Sequence, residues 1–238
     1  MDTARISELL RPFLAKTPNE TDPVDGKSAG LSPAQLNSIS TYIDLLLRWN
    51  ARINLTAIRH PEEIVTRHFG ESLFAARHLF PRQTYVGADV PVRPVEQSSV
   101  PPRVIDVGSG AGFPGLPIKI WEPQIHLTLI ESNQKKSTFL REVARTLTLT
   151  DIDVFQGRAE ANPAHQANIV TLRAVENFQT ALPAATRLLS TAGRMALLVG
   201  ESQLTSTYAL TPGFSWQLPI PIPLSTNRIL LIGTRNQK

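Results

Sequence analysis

The sequence predicts an α/β fold: a mostly parallel, doubly wound sheet closed by a C-terminal antiparallel hairpin and preceded by an N-terminal helical cap. Three observations predict it. From Arg103 onward, short apolar runs alternate with segments of helical period, which is the pattern of a parallel sheet covered by helices. A glycine-rich turn follows the first of those runs. The last stretch, Pro212 to Gly233, has no convincing crossover helix, so its strands close the sheet as an antiparallel hairpin. At 238 residues the chain suffices for one α/β domain with an appended subdomain.

Taken in order, the chain begins with an amphipathic helix from Ala4 to Leu14, followed by a polar stretch from Thr17 to Gly30 that reads as flexible. Ser32 is then an N-cap with Pro33 at the first helical position, and Leu36, Ile39, Ile43, Leu46 and Leu47 recur at helical spacing. Pro61 starts another helix, which carries Ile64, Val65, Phe69, Leu73 and Phe74. Prolines at 81, 91, 94, 101 and 102 mark a long loop. Beyond it, strands are expected at Val104–Val107, His126–Ile130, Ile152–Phe155, Ile169–Leu172, Arg194–Val199 and Ile229–Ile232. Helices are expected near Lys135–Leu147 and Phe178–Leu189. The expected divisions are a helical cap over 1–80, a Pro-rich linker over 81–102 and a cofactor-binding domain over 103–238.

The turn itself reads Val-Ile-Asp-Val-Gly-Ser-Gly-Ala-Gly-Phe-Pro-Gly over residues 104–115. Gly108, Gly110 and Gly112 let the backbone turn tightly and approach a ligand closely. Asp106 stands two residues before the first glycine, where it would repel a pyrophosphate and favour a cationic ligand. S-adenosylmethionine, with its sulfonium and α-ammonium, suits that carboxylate better than NAD does. Glu131 ends the next strand about 20 residues later, a placement that serves the ribose hydroxyls of either cofactor. A Gly-x-Gly-x-x-Gly spacing at 110–115 is also present, so an NAD-dependent oxidoreductase stays open at this point.

Composition narrows the classes further. No cysteine occurs, which excludes disulfides, a thiolate nucleophile and a thiolate metal site, and no metal site is expected. The first residues lack a basic-then-apolar signal pattern, and charges or prolines interrupt every apolar run, so a cytoplasmic protein without membrane spans is expected. A net charge of +4 and a sequence pI near 9.7 are compatible with a polyanionic partner.

Several short motifs occur in one order: Trp49-Asn50, Ile53-Asn54-Leu55-Thr56, Arg67-His68, the turn through Pro117, Lys135-Lys136 with Phe139-Leu140, Arg158-Ala159-Glu160 and Arg173-Ala174. Together they resemble the bacterial glucose-inhibited division protein B family over residues 32 to about 200, and more loosely over the final strand with Arg228. The resemblance implies a Rossmann-like class I methyltransferase sheet. It also implies transfer of a methyl group from S-adenosylmethionine to N7 of a guanine in small-subunit (16S) ribosomal RNA. No obligate protein partner is evident.

Carried onto this chain, the resemblance implies cofactor contacts from Gly108, Phe113, Ala159, Glu160 and Arg173, with Arg173 facing the reaction as the catalytic residue; they join Asp106, Gly110, Gly112 and Glu131, which the turn and the strand end indicate by themselves. Arg67, His68, Lys135, Lys136 and Arg228 are the candidate RNA contacts, in a wider basic set that includes Arg77. Asn54 and Thr56 are expected to fix the turn between the cap helices. The chain departs from the family pattern in four places: Glu71 stands where an Asp is usual, Leu172 where a Ser is usual, Val199 where a Lys is usual, and the Pro-rich loop over 82–102 is longer than the family's. Val199 keeps a third reading alive, a protein that grips ribosomal RNA without modifying it.

Overall fold

A computed structural model describes residues 1–15, 30–81, 100–163 and 166–236. Most of the stretch expected to be flexible (16–29) and the centre of the Pro-rich loop (82–99) lie outside the described residues.

The cap begins with α1 (Thr3–Leu14), whose Asp2 cap accepts from Arg5 N and whose Ile6, Leu10 and Phe13 point inward. α2 (Pro33–Asn50) starts as the sequence indicates: Ser32 Oγ accepts from Gln35 N while Gln35 Oε1 accepts from Ser32 N. This reciprocal box satisfies two backbone donors that a bare helix start would leave open. A short α3 (Pro61–Glu63) runs into a π turn (Ile64–Gly70) and then into α4 (Glu71–Leu79). The sequence gives one helix here, and the apolar positions do not reveal the wider turn inside it.

The sheet comprises β1 (Arg103–Val107), β2 (His126–Glu131), β3 (Ile152–Gln156), β4 (Ala167–Arg173), β5 (Leu189–Gly200), β6 (Phe214–Trp216), β7 (Ile220–Pro221) and β8 (Arg228–Arg235). Its order is β3-β2-β1-β4-β5-β8-β6, with β7 also on β8. The first five strands pair in parallel, and β8 runs antiparallel to β5, β6 and β7. Between them lie α5 (Gly115–Trp121), α6 (Gln134–Thr146), α7 (Phe178–Leu188) and α8 (Leu204–Leu210). The chain winds outward from β1 through β2 to β3, then returns to β4 on the other side of β1. The strand order therefore reverses between β1 and β4, where open α/β sheets place ligands at the C-terminal strand ends.

One apolar core runs from the cap through one face of the sheet, joining Ile6, Phe13, Tyr42 and Phe69 to Leu116, Phe139 and Leu230. A second, on the other face, packs Leu182 and Leu188 of α7 against Val170 and Leu197. Two differences from the sequence reading stand out. β5 starts at Leu189 and not Arg194, because Leu189 pairs with Ala167 ahead of a register shift. α8 escaped notice because its Thr- and Ser-rich turns bury only Thr207 completely.

Candidate active site

At the C-terminal end of β1 the backbone turns through three positive φ angles, +70° at Gly108, +56° at Gly110 and +91° at Gly112. Neighbouring strands hold this turn. Gly108 N and Ser109 N both donate to Ile130 O of β2, at 2.9 and 3.0 Å. Gly110 N donates to Glu131 Oε2 at 2.9 Å, while Asn133 N donates to Glu131 Oε1 at 2.7 Å. The Glu131 carboxylate is thus fixed at the strand tip, and each oxygen keeps a further lone pair for a hydroxyl. A Cβ at Gly110 would meet nothing closer than 3.8 Å, so the turn is open on that side. Gly157 N donates to Glu131 O, which brings the 3₁₀ turn Ala159–Ala161 beside it, with Ala159 buried and Glu160 exposed.

Asp106 requires a correction. The sequence reading turned it toward a cationic ligand, but its side chain is fully buried beneath the turn. Oδ2 accepts from Gly115 N at 3.2 Å and Oδ1 from Thr171 Oγ1 at 2.8 Å. Burial pushes its carboxyl up to about 6, against the pull of those hydrogen bonds. Asp106 therefore braces the turn from below, and any effect on a ligand's charge acts through the field alone.

Phe113 lies in the middle of a stack of rings. Tyr42 of α2 is parallel to it within 4°, with centroids 5.4 Å apart; His68 of the π turn lies on it at 4.7 Å and 19°. The Tyr42 hydroxyl donates to Ala111 O. Through this stack the cap fixes the cofactor turn. His68 is 7% exposed, its Nε2 lies 2.8 Å from Thr56 Oγ1, and burial beside Arg173, Arg67 and Arg228 lowers its pKa to about 3. The expectation that His68 adds a surface cation is corrected: the ring is neutral and interior. Arg77 is likewise buried, donating to Ala15 O to tie α4 to the end of α1. The cap turn is fixed chiefly by Asn50, whose Oδ1 accepts from Leu55 N and Thr56 N. Thr56 contributes through Ile58 N and His68, as expected of it.

Beside the stack, three arginines converge on one buried carboxylate, Glu71, which the sequence marks only as a departure from the family pattern. Glu71 is 1% exposed. Its Oε1 accepts from Arg67 Nε at 3.3 Å, and its Oε2 from Arg173 Nε at 3.2 Å and Nη2 at 3.1 Å. Arg228 Nη2 comes within 2.9 Å of Oε2 as an ion pair, without hydrogen-bond geometry, and Arg228 Nε is buried with no partner. Arg173 Nη2 also donates to Arg67 O at 2.8 Å. Burial pulls the Arg173 guanidinium down from its ordinary range, and Glu71 pushes it back up. The sequence signal was the four-residue spacing from Arg67 to Glu71; the other two arginines come from strand ends far along the chain. Lys135 and Lys136 stand apart from this cluster, exposed and half-buried in the first turn of α6. Val199 is buried among apolar side chains such as Ile229 and Leu231.

The family model for rRNA small subunit methyltransferase G matches residues 35–215, which takes in the cap from α2 onward, the glycine turn and the Glu71 cluster except Arg228. The chain belongs to that family. Among its relatives named Ribosomal RNA small subunit methyltransferase G, that of Roseiflexus castenholzii is 39% identical over 72% of this chain and 68% of its own. That of Chloroflexus aggregans is 38% identical over 86% and 84%, and that of Xylella fastidiosa 34% identical over 82% and 84%. The fold agrees with the family. A ribosomal protein L11 methylase from Lactobacillus delbrueckii subsp. bulgaricus superposes with a TM-score of 0.56 over 72% of this chain and 79% of that one, at 14% identity. Membership in a family of ribosomal RNA methyltransferases removes the oxidoreductase reading. Among the described residues, no helix is long and apolar enough to cross a membrane.

Proposed function

We propose that the protein transfers a methyl group from S-adenosylmethionine to N7 of a guanine in 16S ribosomal RNA. The observation that carries this reading is the meeting of two unlike surfaces at one sheet edge. The Glu131-braced glycine turn suits an adenosine, and the arginine cluster suits an RNA. Arg173 joins them, since it ends β4 next to the strand that leads into the turn.

Glu131 would accept from the ribose hydroxyls, while backbone at Gly108, Gly110 and Phe113 lines the methionine and adenosine groups and Ala159 with Glu160 borders the adenine. S-adenosylmethionine supplies a methyl carbon on a positively charged sulfur. The N7–carbon bond forms as the carbon–sulfur bond breaks, and the positive charge passes to the guanine ring. N7 carries an in-plane lone pair and no proton, so the site needs no general base. Two titratable groups beside the turn are placed out of reach of such a role: Asp106 is sealed beneath the turn and His68 within the ring stack. What the protein contributes is alignment, which supplies several kcal/mol in well-oriented reactions. Arg173 donates to guanine O6 or to an adjacent phosphate. Arg67 and Arg228, with Lys135 and Lys136 farther out, draw in the RNA backbone.

The test is to incubate the protein with methyl-labelled S-adenosylmethionine and unmethylated small ribosomal subunits, then identify the labelled nucleoside by mass spectrometry. The expected product is 7-methylguanosine. An unlabelled RNA, in a protein shown to bind S-adenosylhomocysteine, would overturn the reading in favour of a non-catalytic RNA-binding protein.

A further inference from the structure

Glu71 touches neither cofactor turn nor solvent, yet it has more cationic partners than any other carboxylate among the described residues. A buried carboxylate balanced by one guanidinium is a common structural pair. Three guanidiniums on one buried carboxylate are different: the only second carboxylate on them among the described residues is exposed Glu63, 4.0 Å from Arg67 Nη1, and the remaining excess of positive charge repels itself unless another anion arrives. The three partners are also held unequally. Arg173 is held most firmly, its Nε and Nη2 making two hydrogen bonds to Glu71 and one to the Arg67 carbonyl, which leaves the Nη1 donors for a ligand. Arg67 has one long bond to Glu71, a 4.0 Å ion pair with Glu63 and a half-exposed side chain. Arg228 is held by charge alone, and its Nε is left with an unmet donor. Buried donors without partners are uncommon and costly, and they mark places where a group from outside completes the network.

We propose that Glu71 is a positioning residue for methyl transfer: its carboxylate locks Arg173 at the end of β4 and gathers Arg67 and Arg228 beside it into a cationic cluster completed by an oxygen of the RNA. The inference rests on the methyltransferase reading and deepens it. Glu71 itself meets no reacting atom. It acts by fixing the direction of the Arg173 donors before RNA arrives, so that alignment at N7 costs no reorganisation during the reaction.

The test compares the full-length protein with Glu71→Gln, which keeps shape and an acceptor but removes the charge, and with Glu71→Asp, which keeps the charge on a shorter stem. Three quantities are measured. They are the Arg Nε–H signals of ¹⁵N-arginine-labelled protein without RNA, the affinity for S-adenosylhomocysteine, and the single-turnover methylation rate on small ribosomal subunits. Glu71→Gln is expected to lose the ordered, slowly exchanging Arg173 Nε–H signal and to slow methylation at least tenfold, with cofactor affinity within threefold. Glu71→Asp is expected to restore the signal and to bring the rate within threefold of wild type.

An Arg173 signal and a rate unchanged in Glu71→Gln would overturn the proposal, as would a Glu71→Asp protein as slow as Glu71→Gln. Should Glu71→Gln fail to fold, the wild-type spectrum decides: an Arg173 signal already averaged and rapidly exchanging before RNA is added overturns the proposal, and an ordered one supports it. The arginine signals require no methyl transfer. Loss of the Arg173 signal in Glu71→Gln, in a protein whose wild type methylates no RNA, would therefore sink the functional reading and leave the positioning role standing.

Discussion

The turn at residues 108–115 and the cluster around Glu71 lie at the same sheet edge and are held by different means. The turn is fixed by main-chain donors: Gly108, Ser109 and Gly110 all bond to the last two residues of β2, and Gly115 to Asp106 beneath. The cluster is fixed by long charged side chains converging from a helix and two strands. A main-chain scaffold suits a ligand of constant shape, whose contacts are the same on every cycle. A side-chain cluster suits a polymer that must be admitted, aligned and released, because its charges act over distance and are tuned by salt. Substitutions on the two sides should therefore fail in different ways.

The largest expected effect lies on the RNA side. Arg173→Ala should lower turnover by on the order of 10²- to 10³-fold, the range for loss of one preorganised donor. Affinity for S-adenosylhomocysteine, measured by calorimetry, should stay within about threefold. Equal losses in both would erase the distinction between the two regions.

Gly112→Ala attacks the other side. A Cβ there would collide with Tyr42 Oη and would sit at φ +91°. A loss of about 2–3 kcal/mol of stability should follow, read by thermal unfolding, together with weakened S-adenosylhomocysteine binding. An unaltered melting temperature would show that the turn yields more readily than its bonding suggests.

His68 sits between the regions, and its titration measures how tightly they are joined. Its folded pKa, about 3, lies below the ordinary value of 6.5. Below 6.5 the unfolded chain therefore binds more protons than the folded one, and stability falls as pH falls toward 3. Asp106, raised to about 6, works in the opposite direction between pH 6 and 3.8. Because Asp106 is common to both proteins, it cancels in a comparison with His68→Gln. Between pH 7 and pH 5 wild type should lose roughly 2 kcal/mol more stability than the variant, as seen in urea unfolding. Parallel curves would mean that the ring takes up protons in the folded state.

The smallest effect concerns Arg228. Arg228→Gln should reduce the salt dependence of RNA affinity by about one charge, leaving cofactor binding alone. An unchanged slope would place Arg228 outside the phosphate path.

The cofactor side was the more legible of the two in the sequence, for a physical reason. Its determinants are local: glycines at 108, 110 and 112 stand directly after an apolar strand, and Glu131 ends the next one. The strands from β1 to β4 and the caps at Ser32 and Pro33 were legible for the same reason, since periodicity and capping act over a few residues. Burial was not. Asp106 and His68 were placed among ligand-facing residues because sequence shows which groups are chemically apt and not which way they point. Glu71 was noticed only as a departure from a pattern, and its partners at 173 and 228 lie 102 and 157 positions away. No window of sequence contains that cluster.

The π turn from Ile64 to Gly70 sets the azimuth of everything after it. An α-helix rotates roughly 100° with each residue, more than the wider π turn does, so winding these same residues at α pitch would swing Glu71 away from the arginines at the sheet edge. Gly70, pressed against the Phe13 ring, leaves no slack to compensate. The wide pitch of this segment is thus a dial setting for the site, and a variant that kept every charged side chain but wound the segment as an α-helix would still misaim them.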